Sequence, residues 1–215
     1  MATAGAGSST CYPGSVLPRQ LGLFSAPTPG FDAGFVAVRR LELDEDAWIE
    51  HAPGWVSGHD ALFDELERAV AWRSERRPMY DRVVDVPRLV AGPLPVPHPL
   101  LEAMRVALSE RYGETFTRVS FALYRDGKDS VAWHGDTTAR DMERALVATI
   151  SVGAPRRFLL RPAVGGRSIA FDLGGGDLYV MGGTCQRTWR HSVPKVASAG
   201  PRIAVMFRPK WSDEY

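Results

Sequence analysis

Residues 131–140 read VAWHGDTTAR. His134 and Asp136 stand two apart, directly after the apolar Val131-Ala132-Trp133. On an extended strand, residues i and i+2 point the same way, so an imidazole and a carboxylate would share one side. That pair is either part of a metal site or a strand end running into a polar turn, with Asp136 capping the next segment. A third ligand has to come from elsewhere. His51, His59 and His98 lie in leader-proximal or helix-flanking segments and call for no special role. His191, in TWRHSVP, falls on an expected strand late in the chain. In a jelly roll an early and a late strand can face one another across the barrel mouth. His134, Asp136 and His191 could then form a two-histidine, one-carboxylate facial triad. Such a triad leaves three adjacent metal positions open and suits iron(II), which must bind a co-substrate and oxygen side by side. A closed zinc site needs a fourth protein ligand, and no candidate is obvious.

A second constellation is RIAVMFR, with Arg202 and Arg208 at its ends. A spacing of six puts both on one face of a strand, roughly 20 Å apart if fully extended. Two inward arginines on an apolar strand are costly unless an anion meets them. A small dicarboxylate would satisfy them; surface salt bridges at the rim are the alternative.

These residues need a scaffold, and the sequence suggests one. Residues 1–30 are rich in Gly, Ser, Ala and Pro and read as a flexible leader. GFVAVRRLEL alternates loosely like a strand. GHDALFDELERAVAW, from Gly58 to Trp72, has Leu62, Phe63, Leu66 and Val70 at helical spacing, with His59-Asp60 offered as its cap. RVVDVPRLVAG reads as a strand interrupted at Pro87. HPLLEAMRVALSERYGE is a second helix, opened by Pro99 and stopped by Gly113. After Gly113 come short strand-like runs separated by Gly, Asp and Pro turns. That is the pattern of a β-sandwich or jelly roll. GGGDL (Gly174 to Leu178) is expected to be a hairpin turn, since no helix pattern comes after it as a phosphate loop requires. The expected fold is mainly β with flanking helices (α+β) around a double-stranded β-helix, or jelly-roll, core. Residues 31–215 form one domain.

Composition narrows the class further. The chain has 215 residues, 45% hydrophobic and 24% charged, with a formal net charge of +1. That suits one domain with a sizeable core and imposes no global basic field. Lys128, Lys195 and Lys210 are its only lysines, so its cations are overwhelmingly arginine. Cys11 and Cys185 form no C-x-x-C motif, and a disulfide framework is not expected. No apolar run approaches membrane-spanning length, and the N-terminus lacks the features of a secretory signal. A cytoplasmic monomer without membrane contact is the expectation.

LYRDGKDSVAWHGD, RHSVPK and PRIAVMFR, in that order and spacing, resemble the AlkB family of iron(II)- and 2-oxoglutarate-dependent dioxygenases. The family pattern is N-x-Y, a Gly/Asp turn, H-x-D, a distal His and R-x-N-x-T-x-R. The resemblance runs from about Leu62 to the C-terminus and takes in MYDRVVDVPRL and ISVGAPRRFLLRP. It implies that His134, Asp136 and His191 hold Fe(II). It implies that Tyr124, Arg202 and Arg208 bind 2-oxoglutarate, Arg202 at the distal carboxylate and Arg208 near the keto-acid end. It also implies a nucleotide-recognition lid around 72–98, with Trp72, Met79, Tyr80, Arg88 and, beyond the lid, Thr138 as candidate substrate contacts. For Trp72, packing of the helix onto the sheet is an equal alternative. Arg73, Arg76 and Arg77 could contact phosphates, or could simply end a solvated helix.

The chain departs from the family pattern in places. Ala122 replaces the asparagine of N-x-Y. Ala204 and Met206 replace asparagine and threonine between the arginines. Thr138 stands where several members carry an acidic residue, and VAG (Val90 to Gly92) where many have an aromatic pair before glycine. The implied activity is oxidative dealkylation of N1-methyladenine and N3-methylcytosine in DNA. It would use Fe(II), O2 and 2-oxoglutarate and release succinate, carbon dioxide and formaldehyde. The alternatives are a dioxygenase acting on RNA, protein or a small molecule, and a non-catalytic β-sandwich binding protein.

Overall fold

The computed structural model describes residues 28–79, 82–94, 98–136 and 142–209. The first strands are β1 (Gly30–Phe31), β2 (Arg39–Glu42), β3 (Ala47–Ala52) and β4 (Val56–Ser57), then helix α1 (His59–Ala69). β5 (Arg73–Met79) and β6 (Arg82–Leu94) precede α2 (Pro99–Tyr112). Then come β7 (Phe116–Tyr124), β8 (Val131–His134), β9 (Val147–Gly153), β10 (Arg156–Pro162), β11 (Ile169–Leu173) and β12 (Asp177–Gly183). A short helix α3 (Cys185–Thr188) leads into β13 (Trp189–Val193), and β14 (Arg202–Pro209) ends the described chain.

Among the described residues the strands form a large sheet, β2-β3-β12-β9-β14-β7-β6-β5, a small sheet, β11-β10-β13-β8, and the pair β1-β4. Strand alternation divides the large sheet's side chains between two cores. On β14, Ile203, Val205 and Phe207 point to a core shared with α1 and α2. Arg202, Ala204, Met206 and Arg208 point the other way and line a pocket. β7 and β9 divide likewise: Phe121 and Ile150 join the helical core, whereas Ala122, Tyr124, Val147 and Thr149 line the pocket. The second core, with Phe158, Leu160, Tyr179 and Met181, belongs to the small sheet and the pocket side of the large one. This double-sheet architecture agrees with the jelly roll expected from the strand pattern.

The helices obey their sequence signals with one change. α1 buries Leu62, Phe63 and Leu66, each contributing about 1.5–3 kcal/mol by leaving water. Truncating Phe63 would open that seam. Its N-cap is Gly58, with no side-chain cap bond, so His59-Asp60 does not cap it as expected. α2 starts at Pro99, where the missing N–H costs nothing. The His98 side chain accepts from the Leu100 N–H, and Gly113 closes the helix at φ 66°.

Three further expectations are corrected. β6 runs unbroken through Pro87. Its ladder to β5 shifts register between Ser74 and Arg76, and its pairing with β7 starts only at Leu89. Proline can sit there because no regular ladder bond asks for its N–H. GGGDL is not a hairpin turn. β11 pairs with β10 in the small sheet, while β12 pairs with β3 and β9 in the large one, so the glycines carry the chain between sheets. The segment expected as one strand, QRTWRHSVP, begins within α3 and becomes extended only at Trp189. Of the expected leader, residues 1–27 lie outside the described residues; Gly30 pairs with Ser57. The segment expected as a recognition lid, 72–98, contains the β5–β6 hairpin, with 80–81 and 95–97 outside the described residues.

Candidate active site

A cavity of about 260 Å³ opens between the two sheets. His134, Asp136 and His191 line one part of it, Tyr124, Arg202 and Arg208 the large-sheet wall, and Arg73, Glu75, Arg88 and Val90 the edge supplied by the β5–β6 hairpin.

The two histidines do not face each other across a barrel mouth as expected. They sit side by side, His191 paired in register with His134 on adjacent strands. Their ring centroids are 4.2 Å apart. The Nδ1 of His134 lies 2.8 Å from the Ala132 carbonyl. A carbonyl only accepts, so this contact puts the proton on Nδ1 and the lone pair on Nε2, the arrangement found in metal-binding histidines. His191 stacks on Phe158 at 5.4 Å. Burial holds its pKa well below the ordinary histidine value, with His134, Arg208 and Arg88 adding like-charge repulsion. The His191 ring therefore favours the neutral form that ligates a cation.

Asp136 is committed differently. Its Oδ2 accepts from Arg208 Nε at 2.6 Å, and its backbone N–H donates to Gln186 Oε1 at 3.0 Å. Arg208 also donates from Nη1 to Ser120 Oγ at 2.7 Å. Among the described residues no three His, Cys, Asp or Glu side chains already stand as a ligand cluster. The donors fit Fe(II) by type, two imidazoles and one carboxylate that line the same part of the cavity. Closing the set requires the metal to share or take Asp136 from Arg208.

Farther along β14 the wall holds a buried cation. Arg202 is 2% exposed. Its Nε donates to Ser151 Oγ at 2.6 Å, and its guanidinium lies 5.3 Å from the centre of the Tyr124 ring. Burial lowers its pKa from the ordinary arginine value, helped by Arg156 and opposed by Tyr124 and Asp177. Among the described residues no carboxylate stands within ion-pair distance of it. A buried cation without a counter-charge is expensive, and a bound carboxylate would repair that. Arg156, by contrast, is spent on structure, donating to the carbonyls of Asp126, Asp129 and Pro194.

The substrate candidates separate. Arg88 lines the cavity and donates from Nη1 to the Tyr124 hydroxyl at 3.3 Å, while its Nε is buried without a partner. Trp72 packs edge-on against Phe121 and donates to the Glu67 carbonyl; it packs against the helical core and is not among the residues that line the cavity. Met79 lies on β5; nothing is described of its side chain. Tyr80 and Thr138 lie outside the described residues. Arg73 lines the cavity and reaches the Gly92 carbonyl, so of the expected basic patch this member belongs to the pocket edge. Sequence reasoning missed Ser151, Ser120 and Gln186. The serines left a signal, polar residues at pocket-facing positions of apolar strands. Gln186 left none.

Residues 40–208 match the model of the 2OG-Fe(II) oxygenase superfamily. The chain is 32% identical over 187 residues to alpha-ketoglutarate-dependent dioxygenase alkB homolog 3 of Bos taurus, covering 75% of this chain and 65% of that one. It is 29% identical over 182 residues to DNA oxidative demethylase ALKBH2 of Bos taurus, covering 69% and 63%. The chain thus spans slightly under two thirds of the length of these relatives. Among solved structures, that of OsALKBH1 superposes with a TM-score of 0.56 at 12% identity, covering 80% of this chain and 100% of that one, a likeness of fold.

Proposed function

The chain belongs to the 2OG-Fe(II) oxygenase superfamily, and from that premise we propose that it removes alkyl groups from nucleobases, N1-methyladenine and N3-methylcytosine in DNA foremost. The observation that carries this reading is one cavity holding both halves of the chemistry, the His134/Asp136/His191 donors and the unpaired buried Arg202. The superfamily implies Fe(II), 2-oxoglutarate and O2; together they would oxidise the alkyl carbon, which leaves as formaldehyde, while 2-oxoglutarate becomes succinate and carbon dioxide.

In this reading His134 Nε2, His191 and Asp136 hold the metal. Arg202 receives the distal carboxylate of 2-oxoglutarate through charge-assisted bonds in a site screened from water. Tyr124 stands beside it, kept in place by Arg88. Ala204 and Ala122 pair across β14 and β7 at mid-wall, so the backbone there offers room but no side-chain hydrogen bond. Ser151, paired with Ala204 on the other side, fixes Arg202 instead. Arg208 holds the Asp136 carboxylate at the cavity wall.

Substrate access is governed by size and charge. A base stacked in a duplex cannot reach a cavity between two sheets, so the nucleotide must be flipped out or already single-stranded. Methylation at N1 of adenine or N3 of cytosine blocks pairing and leaves a cation, which lowers the flipping cost. Asp136 is held by Arg208 and would ligate the metal, so Glu75 at the hairpin edge of the cavity is the carboxylate placed to meet that cation. Val90 and Gly92 at the hairpin edge supply no aromatic stacking, so affinity is modest, a stacked base being worth about 1–3 kcal/mol.

The test is succinate release from 2-oxoglutarate with methylated and unmethylated oligonucleotides. Stimulation by the methylated strand is expected. Steady release that methylated DNA does not stimulate would point to another substrate class, and no release at all to a binding protein without turnover.

A further inference from the structure

β8 ends at His134, and its ladder to β13 reaches no farther than the His191–His134 pair. The backbone of Gly135 and Asp136 therefore leaves the sheet with no strand to hold it, at the point where a metal ligand must be placed. α3 takes over. A Cβ on Gly135 would lie 2.4 Å from the Gln186 carbonyl oxygen, so only glycine lets the turn rest directly on the α3 backbone. The Gln186 side chain is buried, the residue being 3% exposed. Its Oε1 accepts the Asp136 N–H at 3.0 Å, and its Nε2 donates to Met181 Sδ at 3.4 Å. An N–H needs an acceptor, which fixes the amide's orientation. α3 is itself anchored at its start, where Thr184 N–H donates to the Asp46 carbonyl, and just beyond its end, where Trp189 Nε1 donates to Asp44 at 2.7 Å. It leads directly into the strand that carries His191.

We infer that Gln186 is the positioning residue for Asp136: it ties the H-x-D turn to the segment bearing His191 and so sets the spacing of carboxylate and distal imidazole. This role rests on the proposed metal site. Arg208 orients the Asp136 side chain, whereas Gln186 fixes the backbone from which that side chain swings. Residues that orient ligands typically control metal affinity about 10- to 100-fold.

The test is calorimetric titration of Co(II) into the full chain, with the visible Co(II) spectrum and the melting curve of the metal-free protein recorded alongside. Gln186→Met keeps length and bulk but loses the acceptor. It should weaken Co(II) binding about 10- to 100-fold and alter the spectrum, while the metal-free melting curve stays close to wild type. Gln186→Glu keeps an oxygen facing the Asp136 N–H and should retain the affinity. If Gln186→Met does not fold, Gly135→Ala, which lifts the turn off α3, should weaken Co(II) binding instead. Undiminished affinity in Gln186→Met, or in Gly135→Ala where that variant stands in, overturns the inference. So does an equal loss in Gln186→Glu. A wild-type chain that binds no Co(II) removes the metal site as well, whereas wild-type binding with an unaffected Gln186→Met removes this inference alone.

Discussion

Arg202 and Asp136 line the same cavity, but the fold holds them in opposite ways. Arg202 is the first residue of a central strand and is laddered on both sides by β7 and β9, buried, with its Nε fixed by Ser151. Asp136 lies beyond the end of a four-residue strand at the margin of the small sheet. Its backbone is held by one glutamine amide and its carboxylate by Arg208. The proposed anion end is thus preorganised and short of a counter-charge; the proposed metal end is assembled from a turn, and a metal there would share Asp136 with Arg208 or take it. Binding at the first should depend on local hydrogen bonds. Binding at the second should depend on the elements that carry the turn.

The largest effect is expected where the two ends differ most. Asp136→Ala removes the carboxylate ligand and leaves Arg208 unpaired, so turnover should fall below detection and Co(II) affinity with it. Wild-type turnover would break the contrast at once. At the anion end, Arg202→Lys keeps the charge and loses the planar fork. The 2-oxoglutarate requirement should rise roughly tenfold or more, with metal affinity unchanged in direct titration; loss of metal affinity instead would show that the ends are not separable. Ser151→Ala sharpens the same point more gently. Losing this charge-assisted bond, which orients Arg202 without touching the co-substrate, should cost about 1 kcal/mol of binding, raise the 2-oxoglutarate requirement roughly fivefold and leave kcat unaltered.

The smallest effect on activity lies in the turn that feeds β8. Asp129 is buried and accepts from Arg125 Nε and Nη2, both at 2.8 Å. Burial alone would raise its pKa, but the Arg125 hydrogen bonds and charge outweigh it and hold the value below 3.8. A carboxylate with a depressed folded pKa stabilises the fold above its unfolded value and loses that contribution as pH falls through the folded one. Asp129→Asn should therefore lower stability at neutral pH by about 2 kcal/mol and flatten the decline of stability below about pH 4. Denaturant melts across that range check both. An unchanged acid slope would mean that Arg125 does not hold Asp129 ionised in the folded chain.

How much of this was legible in the sequence tracks the same division. Period-2 spacing was enough to place Arg202 and Arg208 on one face, because a long central strand obeys alternation. The H-x-D pair and His191 were legible as residue types, yet their neighbouring strands were not, since the order of strands in a sheet is set by long-range packing. Pro87 reads as a break because its exemption, a register shift in the partner strand, is invisible in the sequence around it. The three glycines at 174–176 signalled a turn without revealing that it changes sheets. Gln186 could not be found at all: a polar residue in a short helix has no period to betray which face is buried.

The central claim is that this cavity brings an alkylated base to the metal end while Arg202 holds 2-oxoglutarate. The most direct measurement is the mass of a single-stranded oligonucleotide bearing one N1-methyladenine or N3-methylcytosine after incubation with the protein, iron(II), ascorbate and 2-oxoglutarate. Loss of the methyl group with matching release of succinate is the expected result, and neither should occur with Asp136→Ala. An oligonucleotide of unchanged mass alongside steady succinate production would contradict the claim.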